Sequence, residues 1–182
     1  MSHFSFLRTE DGMPDIAKHK PERFRHVIGF VEDVMRGPSA FTPGEREMIA
    51  AYVSGLNACT FCHGAHRAVA ETFGVDGAAI ERLLGDDGLD HAEPKLRPVL
   101  ALAKKLTREP AKVVKAQIDA MLEAGWGEEA AHDLICVVAL FAFANRLVSG
   151  HGVVGSPAYF DSEAKTLGLG GGYLSLSPAP PG

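Results

Sequence analysis

The chain has 182 residues, 46% hydrophobic and 23% charged, with a formal net charge of −5. That length and balance describe one globular domain, able to bury about 70% of its unfolded surface without a disulfide staple. The 18 basic residues are scattered, with Lys104-Lys105 the longest basic run, so no phosphate-tracking surface is expected and nucleic acid is not expected as a partner.

Residues 1–20 read as an N-terminal extension. They hold no apolar h-region and carry Glu10, Asp11 and Asp15, so no secretory signal is read there and a reducing cytoplasm is expected. In that setting three cysteines do not make a structural framework, and a close pair points to catalysis or metal binding. Over 21–36, Phe24, Val27, Ile28, Val31 and Met35 recur at helical spacing, and Gly37-Pro38 ends the run. Thr42-Pro43-Gly44-Glu45 is a capping-box pattern with proline at the first helical position, which predicts a helix over 43–56. The next helix is predicted over 58–73, with Gly74 as its stop. Asp76 caps a short helix through Leu84, and Gly85-Asp86-Asp87-Gly88 marks a surface loop. Helices also fit 94–107, 110–124 and 128–148. No stretch alternates with period two, so the fold class is all-α. After Ser149 the composition shifts to Gly, Ser and Pro; residues 156–182 read as a C-terminal tail, poorly ordered or strapped onto the domain from Gly168.

Two apolar segments within the expected helices lack Asp, Glu, Lys and Arg: 48–66 and 134–145. The first is interrupted by polar residues and the second falls short of the roughly 20 residues that cross a bilayer. Both read as helices buried inside the protein or at a subunit interface, and no membrane contact is expected. Beside the first lies Glu47. On the helical wheel Met48, Ile49, Tyr52, Val53 and Leu56 form one stripe, and Glu47 lies opposite with Ala50, Ala51, Ser54 and Gly55. A solvated face would carry more charge, so this small-residue face is expected to pack against another helix and take Glu47 with it. Partial burial would raise the Glu47 pKa towards that of a proton shuttle.

The segment Asn57-Ala58-Cys59-Thr60-Phe61-Cys62-His63-Gly64-Ala65-His66 concentrates two thiols and two imidazoles in ten residues. With Asn57 as the cap, both cysteines fall where unpaired N–H groups and the helix dipole stabilise a thiolate. Such placement lowers a cysteine pKa from about 8.5 to between roughly 3.5 and 7.5. Cys59, Cys62 and His66 share one helix face, and thiols one turn apart can close a disulfide. The segment also matches the C-x-x-C-H pattern of c-type haem attachment, which normally takes place outside the cytoplasm. A zinc site would need further donors from His132, His151 or a second chain, because His63 and His66 point to different faces. Cys136 reads as a small buried apolar residue. His132 reads as a surface histidine that could reach the thiols from behind. Asn145-Arg146, a polar pair closing the long apolar helix, serves its last carbonyls or a partner subunit.

These residues resemble the AhpD-like alkylhydroperoxidases of the carboxymuconolactone decarboxylase superfamily. The family pattern of a glutamate, a C-x-x-C and a histidine is matched by Glu47, Cys59, Cys62 and His66. Gly125-Trp126-Gly127, His132-Asp133 and Phe143-Ala144-Asn145-Arg146-Leu147 resemble the later helix of the peroxidase-related branch, so an AhpD-like domain is expected over 21–155. The resemblance implies a helical subunit assembling as a homo-oligomer, a trimer or hexamer, with no cofactor and no metal. It further implies a hydroperoxide substrate attacked by Cys62, a Cys59–Cys62 disulfide, and His66 and Glu47 as proton relay. A thiol or lipoyl protein would be the outside reductant. Phe61 stands where some relatives carry a polar residue, and His63 is a further candidate for the relay. Rival readings are a dithiol oxidoreductase or redox sensor that touches no peroxide, a carboxymuconolactone decarboxylase-like enzyme with no use for the thiols, and a metal- or haem-binding module.

Overall fold

The computed structural model describes residues 2–8, 10–169 and 172–176. Among them the chain forms nine α-helices and no β-strand: α1 (Met13–Lys18), α2 (Pro21–Arg36), α3 (Pro43–Leu56), α4 (Thr60–Thr72), α5 (Gly77–Leu83), α6 (Arg97–Arg108), α7 (Lys115–Glu123), α8 (Glu128–His151) and α9 (Pro157–Ala164). The all-α expectation holds. The α3 start is the capping box read from the sequence: Glu45 N donates to Thr42 Oγ1 at 3.2 Å, and Thr42 N donates to Glu45 Oε2 at 2.7 Å.

Helix α3 is the spine. Ile49, Tyr52 and Val53 on one face and Glu47, Ala50, Ala51 and Ser54 on the other are all without solvent exposure. Burying Ile49 and Val53 contributes about 1.5–3 kcal/mol each, and the small residues opposite let a neighbouring helix approach closely. Helices α4, α8 and α6 pack around α3, and α9 lies along α4. Gly64 permits that last contact, because a Cβ there would fall 2.5 Å from Phe160 Cε2. A large apolar core joins α3, α6 and α8 through residues such as Met35, Phe41, Leu100, Leu102, Met121, Leu134 and Phe141. A second, smaller cluster contains both Cys59 and Cys62, walled by Leu7, Ile16, Phe24, Phe61 and Val148.

Several boundaries depart from the sequence pattern. The helix expected over 110–124 is split into a 3-10 turn at Pro110–Lys112 and α7, with Val113 and Val114 extended between them. Two consecutive β-branched residues favour that break, and the Gln117 side chain accepts the Val114 N–H at 2.8 Å. Helix α8 runs past Ser149 to His151 and stops at Gly152, whose φ of 69° is the left-handed conformation of a glycine stop. Its 24 residues are long and apolar enough to cross a membrane by length and composition, although the uncharged stretch inside it is short; here it packs on α3, α6 and α2. Beyond it, α9 falls in the segment read as tail. Ser156 caps α9, accepting from Tyr159 N at 3.2 Å, and Pro157 occupies the first turn. The remainder of the expected tail, 177–182, lies outside the described residues.

Candidate active site

The turn from α3 into α4 places the thiols, and it differs from the expected one. Asn57 does not cap α4. It closes α3, its backbone N–H bonding to Val53 O at 3.1 Å, and its side chain donates to Asn145 Oδ1 at 2.9 Å. Ala58 then adopts φ 55°, a left-handed conformation that costs a residue with a Cβ about 1–2 kcal/mol. That kink makes Cys59 the capping residue itself, with Cys62 at the third helical position and the Cys59 carbonyl accepting from His63 N at 3.0 Å. Both thiols are free and buried.

The Cys59 thiol is held down to about 6. The hydrogen that Cys62 presents to it is the largest cause; burial opposes it, and the Cys62 backbone N–H, the Ser149 hydroxyl and His66 add to it. Cys62 is pushed well above the ordinary thiol range, first by its hydrogen bond to Cys59, then by burial and the neighbouring charge. The two sulfurs therefore share one proton and titrate as a unit, with the negative charge favoured at Cys59. The resemblance assigned the thiolate to Cys62. Cys62 instead is the sulfur that opens onto a cavity, while Cys59 sits behind it at the helix start.

Glu47 is completely buried. Its Oε2 accepts from His66 Nδ1 at 2.7 Å, and its Oε1 accepts from Arg36 Nη2 and from Tyr173 OH, each at 2.7 Å. Burial is the largest single influence and raises its pKa. His66, Arg36 and Tyr173 together outweigh it and leave Glu47 below the ordinary carboxylate range, opposite to the expected direction. Glu47 is thus a fixed anion that orients His66, not a titrating shuttle. With Nδ1 committed to Glu47, Nε2 is the ring nitrogen left to act elsewhere, and His66 lines the same cavity as Cys62. Phe141 packs edge-on to the imidazole at 4.4 Å between centroids.

Tyr173 was not anticipated. It arrives from the C-terminal segment because Glu32 on α2 accepts the backbone N–H groups of Tyr173 at 2.6 Å and Leu174 at 3.2 Å. One turn later Arg36 stacks over the Tyr173 ring at 4.9 Å while pairing with Glu47. Glu163 on α9 was not anticipated either. Its Oε1 accepts from Tyr159 OH at 3.1 Å, and its Oε2 is buried without a protein partner. Burial raises its pKa to about 7, helped by Glu47 and Asp15 and opposed by His66 and Tyr159.

The other expected contributors lie elsewhere. His63 turns between α3 and α5, with Nδ1 at 3.0 Å from Ala51 O and Nε2 at 3.0 Å from Glu81 Oε1. His132 is exposed and meets Cys136 Sγ at 3.6 Å, so neither reaches the thiols, and Cys136 is half-buried, not core. Asn145 is buried inside, not at a helix end or an exposed subunit face. Its Nδ2 donates to Ser54 Oγ at 2.9 Å, and it lowers the Cys62 pKa against the larger upward influences. His151 Nδ1 meets Leu147 O at 2.7 Å. Among the described residues no three His, Cys, Asp or Glu side chains converge on a metal position.

The cavity measures about 90 Å³ and is walled mainly by apolar side chains from α1, α2, α4 and α8, such as Met13, Val27, Phe61 and Leu140, with Leu167 and Leu176 from the C-terminal segment. The polar groups on it are Cys62, His66, Glu163 and Tyr173. A buried thiol pair, a fixed imidazole and an apolar chamber suit two-electron sulfur chemistry on a small, largely apolar molecule.

The model of the Carboxymuconolactone decarboxylase family matches residues 21–105, the segment that carries Glu47, Cys59, Cys62 and His66. No curated protein matches the chain. Among solved structures, an uncharacterized peroxidase-related protein from Ralstonia eutropha JMP134, described as an alkylhydroperoxidase AhpD core, is 27% identical with a TM-score of 0.73, over 80% of this chain and 76% of that one. An uncharacterized peroxidase-related protein from Silicibacter sp. TM1040 is 23% identical with a TM-score of 0.70, over 87% of this chain and 94% of that one, and shares the fold. The family match thus runs from α2 into α6, and the chain is similar over most of its length to these AhpD-like, peroxidase-related structures.

Proposed function

We propose that the protein is a thiol peroxidase that reduces organic hydroperoxides through a Cys59–Cys62 dithiol/disulfide cycle. The observation that carries this reading is the pair itself: two free, buried cysteines at the start of α4, one of them opening onto an apolar cavity beside His66. As the hydroperoxide settles against Cys62, the shared proton moves onto Cys59. The Cys62 sulfur then gives two electrons to the O–O bond, forming a sulfenic acid and releasing an alkoxide, which takes a proton in the cavity. Cys59 next attacks the Cys62 sulfur, and the displaced hydroxide takes the Cys59 proton to leave as water. The disulfide is reopened by an outside dithiol, a thiol or lipoyl protein, which supplies two electrons and two protons.

His66 supports the thiolate electrostatically, and Glu47 holds its ring in place with Arg36 and Tyr173 behind it. In this reading the protein works in the cytoplasm as a homo-oligomer, for which the exposed Phe30, Ile135 and Phe143 offer apolar contact area between copies. The test is stopped-flow oxidation of the fully reduced protein by an organic hydroperoxide, with free thiols and intact mass measured afterwards. Rapid loss of two thiols and of the mass of two hydrogens is expected. Oxidation no faster than that of free cysteine overturns the peroxidase and leaves dithiol exchange with a protein.

A further inference from the structure

We propose that Glu163 is the acid that protonates the departing alkoxide, a catalytic role resting on the peroxidase function above. The sulfur attack needs such a group. An alkoxide is far more basic than a carboxylate or an imidazole, and an apolar cavity offers it no solvation, so the O–O bond breaks readily only if a proton arrives with the electrons. Of the polar groups on the cavity, Tyr173 OH is committed to Glu47, and His66, held to Glu47 through Nδ1, keeps only Nε2, which serves the thiolate. Glu163 alone among these carries a buried oxygen with no protein partner.

An unpartnered buried carboxyl oxygen is costly, and a site keeps it where a ligand completes it. The proton can also be placed. Tyr159 OH donates to Oε1, which must therefore be an acceptor, so the hydrogen of the neutral acid belongs on Oε2. The surroundings favour that neutral form: Asp15 on α1 and Glu47 on α3 face Glu163 with like charge, while His66 on α4 and Tyr159 on its own helix favour the anion and burial prevails. Helix α1 closes over this corner. Gly12, at its start, leaves room for Tyr159, since a Cβ there would fall 1.9 Å from Tyr159 OH.

The steps balance. The pair enters with one proton and one negative charge, Glu163 with one proton, and the hydroperoxide with its own. They leave as a disulfide, an alcohol, water and a Glu163 carboxylate. The two protons that accompany reduction of the disulfide restore the shared thiol proton and the Glu163 carboxyl.

The experiment is stopped-flow oxidation of the reduced full chain and of Glu163→Gln, from about pH 5 to 9, by cumene hydroperoxide and by peracetic acid, whose leaving acetate needs no proton. With cumene hydroperoxide the wild-type rate should rise through about 6 as the pair ionises and fall above about 7 as Glu163 does. Glu163→Gln should slow that reaction roughly 100-fold and remove the alkaline fall, while changing the peracetic acid rate by less than about threefold. Equal losses with both oxidants would mark a structural role, and no loss with either would leave Glu163 outside the chemistry; both overturn the proposal. A wild type inert to both oxidants sinks the peroxidase function, and this inference with it.

Discussion

Glu163→Gln also makes a prediction that involves no peroxide. The carboxyl is raised from its ordinary 4.5 to about 7, chiefly by burial. Below 4.5 both the folded and unfolded chains hold the proton, and Glu163 contributes no pH dependence. Between 4.5 and about 7 the folded state keeps a proton that the unfolded chain has released, so folding weakens as pH rises; above about 7 the full penalty is present. At about 1.36 kcal/mol for each tenfold change in proton concentration, the loss amounts to roughly 3 kcal/mol. The amide in Glu163→Gln keeps an acceptor for Tyr159 and does not ionise. Its stability relative to wild type should therefore rise by roughly 3 kcal/mol between about pH 4 and 8, whatever constant offset the amide introduces. Urea unfolding of reduced protein at fixed concentration measures this, and with slopes of about 1–3 kcal/mol per molar the midpoint difference should move by about 1 M or more. Parallel pH profiles for the two proteins would refute the assignment of a neutral, buried carboxyl.

Glu47→Gln should destabilise the protein by about 3 kcal/mol or more in the same assay, because it leaves Arg36 and His66 buried around a lost charge. Cys59→Ser should abolish the thiolate absorbance step near 6 and leave Cys62 titrating above it, whereas Cys62→Ala should raise the step by removing the hydrogen that Cys62 presents. Ala58→Gly should raise stability by about 0.5–1 kcal/mol in thermal unfolding, since glycine removes the left-handed strain at φ 55° and gives part of it back as chain entropy.

How far the sequence carries depends on whether a residue's partner is local. The capping box at Thr42 and Glu45 closes within four residues, and the extents of α2 and α3 follow from it and from adjacent spacing. The burial of Glu47 was legible from the small, uncharged face it shares; the direction of its pKa was not, because Arg36 and Tyr173 reach it from other elements. Asn57 has the chemistry of a cap and lost that role to a contact 88 positions away in Asn145. At the start of α9, Ser156-Pro157 repeats the Thr42-Pro43 signal, masked by the surrounding glycines and prolines. Glu163 and Tyr173 give no local signal of function, because only packing shows that one loses its solvent and the other reaches Glu47.

The family segment, 21–105, carries the thiols, His66, Glu47 and Arg36, but neither Glu163 nor Tyr173. In the proposed reaction the acid and the tyrosine behind Glu47 thus come from the C-terminal elements, held by contacts back to α2: Glu32 on the Tyr173 and Leu174 N–H groups, and Arg36 Nη2 on the Leu167 carbonyl at 3.1 Å. Arg36 at once pairs with Glu47, stacks on Tyr173 and bonds that carbonyl, so moving the C-terminal segment disturbs the buried anion that orients His66. A chain with the same C-x-x-C helix but a different C-terminal segment would keep the electron-transferring sulfurs and lose the means of timing the proton. Under the proposed peroxidase function, the segment that matches the family model supplies the sulfur that is oxidised, and the segment folded over it supplies the acid that meets the leaving group.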